Sequence, residues 1–114
     1  MRLHHVNLAV HPDVLDAEMT FLADGLGLVR VPAPQFPTAR WFAVPDGTEV
    51  HLSRTEEPIT TKPGHVALVL GDAFAVTCER LAALGCTART VEGLGMDVAL
   101  YDDPGGHLWE LRAA

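Results

Sequence analysis

His5-Val6-Asn7-Leu8-Ala9-Val10 returns sixty positions later as His65-Val66-Ala67-Leu68-Val69-Leu70. Two more landmarks repeat at nearly the same distance. Leu26-Gly27 matches Leu84-Gly85, and Gly47-Thr48-Glu49-Val50-His51-Leu52 matches Gly106-His107-Leu108-Trp109-Glu110-Leu111. A near-constant offset over three landmarks means that one structural unit occurs twice, and a repeated unit dictates architecture before any local assignment.

Each unit opens with a short run rich in β-branched residues and continues into helical spacing. In the first unit Val14, Leu15, Glu18, Phe21 and Leu22 share a stripe that Pro12 and Asp13 start and Gly25 and Gly27 end. In the second, Phe74, Cys78 and Leu81 share a face, with Asp72 as the expected N-cap and Gly85 as the C-cap. Three short strands are predicted after each helix, at 28–32, 41–44 and 49–53, then at 88–91, 96–101 and 108–112. Asp46-Gly47 and Pro104-Gly105-Gly106 supply the turns before the last strands. The fold class is therefore α+β: two βαβββ modules forming a curved open sheet or barrel. One domain of residues 1–114 is expected, with module one at about 1–54, a linker at about 55–63 and module two at about 64–114.

Strand side chains alternate between faces. Val6, Leu8 and Val10 pack beneath the first helix, which leaves His5, Asn7 and Ala9 on the opposite, concave face; Val66, Leu68 and Leu70 likewise leave His65 and Ala67 there. His51 lies between Val50 and Leu52, and Glu110 between Trp109 and Leu111, so these polar residues also point away from the helices. A pseudo-two-fold axis would set His5 opposite His65 and His51 opposite Glu110. Three imidazoles and one carboxylate make a first-row transition-metal site. A lone strand histidine is more often half-exposed than liganding, and His4, His11 and His107 are given no site role. The four repeat-matched residues stand apart because metal-competent types recur at both pairs of equivalent positions.

H-V-x-L-x-V opening one module, G-H-V-A-L opening the next and D-P-G-G-H-L-W-E-L closing the chain resemble the vicinal oxygen chelate superfamily. That superfamily includes glyoxalase I, methylmalonyl-CoA epimerase, fosfomycin resistance proteins, extradiol dioxygenases and bleomycin-binding proteins. The resemblance runs from Leu3 to Arg112. It implies metal ligands on the first and fourth strands of each module, here His5, His51, His65 and Glu110. It also implies one divalent metal per site (Zn, Ni, Co, Mn or Fe) with open positions that chelate two adjacent substrate oxygens.

Glyoxalase I of this size carries a carboxylate where His51 stands, so on this reading the site is one unit more positive and Glu110 alone serves as base. The favoured activity is lyase or isomerase chemistry on a small oxygenated or thiol-conjugated substrate. The alternatives are an Fe(II)-dependent extradiol-type dioxygenase and a non-catalytic small-molecule or antibiotic-binding resistance protein. Asn7, Ala9, Ala67 and a third-strand side chain such as Arg40 or Phe42 are expected to line the pocket, with Trp41 and Tyr101 as alternatives that are more often core or interface residues. A homodimer is expected, because two small modules leave open sheet edges; pairing within or between chains stays open.

Composition excludes other classes. The 114 residues are 48% apolar, which argues against disorder. Fifteen acidic against eight basic residues give a net charge of −7, with no basic cluster, so nucleic acid is not an expected partner. No apolar stretch reaches membrane-spanning length. The histidines inside the first apolar run suit no signal peptide, and Cys78 and Cys86 read as reduced, so the cytoplasm is the expected location.

Overall fold

The computed structural model describes residues 1–58, 60 and 62–114; the parts of the expected linker at Ile59 and Thr61 lie outside the described residues. Strand β1 (His5–Val10) leads through a 3-10 turn, Pro12–Val14, into helix α1 (Leu15–Thr20), which continues as a π-helical turn over Phe21–Gly25. Strands β2 (Val29–Val31), β3 (Arg40–Ala43) and β4 (Glu49–Arg54) complete the first module. The second comprises β5 (His65–Val69), α2 (Phe74–Ala83), β6 (Val98–Asp102) and β7 (Leu108–Arg112). In each module the first and last strands run parallel side by side, giving sheet orders β1-β4-β3-β2 and β5-β7-β6.

The helix ends follow from backbone chemistry. Gly85 (φ 84°) lets Gly85 N–H bond to Ala82 O and Cys86 N–H bond to Leu81 O, which satisfies two carbonyls at the end of α2. Asp72, expected as the cap of α2, does not cap it. It sits inside a 3-10 turn, Gly71–Ala73, closed by Ala73 N–H to Leu70 O, and no side chain caps α2.

The strand expected at 88–91 is reduced to a single bridge between Ala88 and Tyr101. Gly93 (φ 82°) and a turn from Val91 to Leu94 bend the chain away, while Arg89 is held by a bidentate ion pair to Asp102. The second sheet therefore has three strands where the first has four. The two modules each keep their own sheet within the chain.

What joins the modules is a shared core on the helix sides of both sheets. Val10, Phe21, Leu22, Phe42, Val50 and Leu52 pack with Leu81, Trp109 and Leu111 in one buried cluster. The rings of Phe21 and Trp109 are 6.1 Å apart, and a Cβ on Gly25 would lie 2.6 Å from Leu81. His107 Nε2 donates to the carbonyl of Ala9 (2.7 Å), linking the last turn to β1. Since the apolar faces meet each other, the opposite faces of both sheets point outward. His5, Asn7, His65, Ala67 and Val69 are all exposed there. No helix among the described residues is long and apolar enough to cross a membrane.

Candidate metal centre

Parallel pairing of β1 with β4 sets Asn7 beside His51 and His5 beside Glu49, all on one face. Antiparallel pairing of β3 with β4 sets Trp41 beside His51 on that same face. The rings form a row. His5 stacks on His51 (centroids 4.0 Å, 15°), His51 on Trp41 (4.1 Å, 6°), and Trp41 meets Phe36 at 5.9 Å. His51 is consequently only 6% exposed on an otherwise open face.

His51 Nε2 lies 2.8 Å from Glu49 Oε1. A carboxylate accepts, so Nε2 carries the hydrogen and Nδ1 keeps the lone pair that a metal needs. The Glu49 carboxyl is held below its ordinary value, chiefly by this hydrogen bond. His5 is also held below its ordinary value, first by desolvation among its neighbours and then by repulsion from His51 and His4. A neutral imidazole is the ligating form. Asn7 accepts a hydrogen bond from Ser53 Oγ (2.7 Å) at the edge of this face.

The second module offers the complementary pair. His65 Nδ1 donates to Pro63 O (2.8 Å), because a carbonyl only accepts, and this frees Nε2. His65 Nε2 stands 3.8 Å from Glu110 Oε1, a gap that one ion with bonds of about 2.1 Å to each donor can span. Glu110 Oε2 is steadied by Arg112 (3.2 Å). Ala67 pairs with Glu110 across β5 and β7 and leaves space on the exposed face.

The pairs that form are thus His5 with His51 and His65 with Glu110, each within one sheet. The expected facing of His5 with His65 and of His51 with Glu110 does not occur within one chain. Among the described residues no three metal-competent side chains converge. The packing explains this: the helix-side faces of both modules are used up in the shared core, so the two donor-bearing faces look outward. As donor chemistry, two imidazoles with free lone pairs plus a carboxylate fit a divalent first-row ion, but each half carries two donors.

Two expected lining residues are corrected. Phe42 is 1% exposed in the core opposite Val50, and Arg40 shares its side of β3, with its guanidinium bonded to Pro37 O and Ala39 O. Trp41 takes the place on the donor face. Glu49 was not singled out from the sequence, although it stands two residues before His51 on the same strand, where alternation puts it on the same face.

The fold, a βαβββ module followed by a βαββ one, is similar to that of solved fosfomycin resistance and glyoxalase-family proteins. Solved structures similar to the chain include the fosfomycin resistance protein FosX from Mesorhizobium loti (TM-score 0.78, 19% identity, 99% of this chain and 91% of that one). A glyoxalase-family protein from Bacillus anthracis is similar at TM-score 0.79 and 19% identity, over 97% of this chain and 93% of that one. A variant of FosX from Listeria monocytogenes, solved with Mn(II) and a dihydroxypropylphosphonic acid, matches at TM-score 0.78 and 20% identity over 99% and 92%. No protein-family model and no curated protein sequence matches the chain.

Proposed function

We propose that this protein is a metal-dependent enzyme of the vicinal oxygen chelate type, with its site assembled between two copies of the chain. His5 and His51 of one copy would meet His65 and Glu110 of the other. The observation that carries this reading is the division of the donors into two outward-facing pairs, each incomplete and each ready to ligate. The exposed edge strands β1 and β5 carry one histidine of each pair, and an open edge is what a second copy can cover. The similarity to a FosX that holds Mn(II) and an oxygenated phosphonate supports a divalent metal and a small oxygen-bearing substrate.

The metal, when bound, would supply Lewis acidity toward adjacent substrate oxygens. The chain's own residues do the rest. Glu110 is ligand and candidate base, and Glu49 adds a second carboxylate on the same assembled face. Asn7, Ala9, Ala67 and Trp41 bound the space beside the donors. Lyase or isomerase chemistry by proton transfer is the favoured class, because Glu110 and Glu49 give the assembled face two carboxylates that can carry a proton. Oxygen uptake on an Fe(II)-loaded sample would instead favour the dioxygenase class.

Subunit mixing tests the assembly. His5→Ala/His51→Ala and His65→Ala/Glu110→Ala should each lose the metal while keeping the fold. Unfolded together and refolded, they should regain about one quarter of the parent's metal, since half of the random dimers carry one intact site of two. Light scattering should report a dimer throughout. A dimer that regains no metal, or a monomer that binds metal at parental affinity, would overturn the reading.

A further inference from the structure

The loop between β2 and β3 builds a second hollow, at the β2 edge of the first sheet. Its cavity of about 460 Å³ is lined by Arg30, Arg40, Phe36, Pro32 and Pro37 among others, and no carboxylate lines it. In a chain with fifteen acidic and eight basic residues, two arginines facing an acid-free hollow is a local reversal of charge. Their placement follows from register. Arg30 pairs with Phe42, and Arg40 lies two residues from Phe42 on the neighbouring strand, so both arginines share one face as diagonal neighbours. Such positions stand roughly 7–8 Å apart, within reach of long side chains that share one anion.

The loop is preorganised. Phe36 N–H bonds to Ala33 O and Ala39 N–H to Phe36 O, two successive turns among Pro32, Pro34 and Pro37. Arg40 Nη1 is pinned by Pro37 O (3.1 Å) and Ala39 O (3.0 Å), which fixes the guanidinium while leaving its other N–H groups available. Among the described residues neither arginine has a carboxylate partner, whereas Arg89, Lys62 and Arg112 all do. Phe36 is 52% exposed, an apolar surface beside the two cations that its contact with Trp41 holds in position.

We propose that this hollow binds a small organic anion: a carboxylate or phosphoryl head held between Arg30 and Arg40, with a planar or apolar body against Phe36. Two planar guanidiniums match an oxyanion with two or more oxygens, and charge-assisted hydrogen bonds are the strong ones. The site needs no metal and includes none of the four proposed donors, although Phe36 adjoins the donor face through Trp41.

The test is a titration of the full-length ¹⁵N-labelled protein, in EDTA so that no metal bridges the anion, at constant ionic strength. Phenyl phosphate, benzoate and inorganic phosphate are the three probes. Phenyl phosphate should shift the amide signals of Arg30, Phe36 and Arg40 and the arginine Nε–H signals, and should bind more tightly than inorganic phosphate. Benzoate, with a carboxylate head on the same ring, reports whether the head must be phosphoryl; its failure alone would narrow the class to phosphoryl anions and leave the site in place. Arg30→Gln, which disturbs no pinned contact, should weaken binding by about tenfold, and Phe36→Ala should erase the preference for phenyl phosphate over inorganic phosphate. Absence of shifts with all three probes at millimolar concentration, affinity unchanged in Arg30→Gln, or shifts centred on His65 and Glu110 would overturn the proposal.

Discussion

At His51 the ring is held on three sides, by Trp41 on one face, His5 on the other and the Glu49 carboxylate at Nε2. A neutral imidazole bonded to a carboxylate carries one negative charge as a unit. The extra positive charge expected from having His51 in a carboxylate's place is therefore cancelled two residues upstream, and Glu110 is not the face's sole carboxylate. Carboxylates that orient ligating histidines typically change metal affinity by about 10–100-fold when removed. Glu49→Ala should weaken metal binding by that order, and Glu49→Gln, which keeps an acceptor for Nε2–H, should weaken it less. Competition against a chromophoric chelator reads both, and parental affinity in Glu49→Ala would show that the pair does not support a metal. The faces of His51 and Glu110 were legible because each lies between apolar neighbours, and those of His5 and His65 because Val6 and Leu8, or Val66 and Leu68, set the strand's phase. The face of Trp41 was not. Arg40-Trp41-Phe42-Ala43 puts two aromatics side by side, so alternation cannot say which faces the core until β4 is laid beside it.

At the scale of elements, the repeat made all seven strands and both helices readable, an eighth expected strand did not form, and the failures have local causes. The stretch 88–91 has strand-forming residues, but the glycines after it and the pull of Arg89 toward Asp102 leave room for one bridge. Asp72 is a competent cap by type, yet Gly71 (φ 57°) starts a 3-10 turn that draws it inside. Gly85 does what its position demanded. A Cβ there would meet nothing within 4 Å, so the cost of Gly85→Ala is purely that of holding φ at 84°. That penalty is roughly 1–2 kcal/mol, which should lower the thermal midpoint by several degrees without altering metal content. An unchanged midpoint would mean that the end of α2 unwinds at no cost.

Across the whole molecule, the link most exposed to pH is a buried carboxyl that ties the modules together. Glu18 on α1 is fully buried, its Oε1 accepts from Gly105 N–H of the other module (2.8 Å), and its Oε2 has no other donor near it. Beside it lies Asp103, whose oxygens are already engaged by Trp109 Nε1 (2.8 Å) and His107 N–H (2.7 Å). Two carboxylates cannot both stay charged in such a place, so Glu18 keeps its proton and donates it to Asp103. Its pKa is pushed up to about 10, first by burial and then by that hydrogen bond and the charge of Asp103. The unfolded chain releases the same proton near the ordinary value of 4.5. Between these two values the folded state binds one more proton than the unfolded state. Stability from this group is thus complete below about 4.5, falls as pH rises and is gone above about 10, with a slope on the order of 1 kcal/mol per pH unit. Asp102, held down to about 2 by Arg89 and Lys62, acts only at the acid end. Cys86 and Tyr101, both raised by burial, add the same sign of slope only near and above pH 9. The window from about pH 7 to 9 therefore isolates Glu18. Urea midpoints of the parent should fall across it, whereas Glu18→Gln, which keeps the shape and can still donate to Asp103, should hold nearly constant and exceed the parent at about pH 9. Parallel declines in the two proteins would show that the modules are not joined through a protonated Glu18.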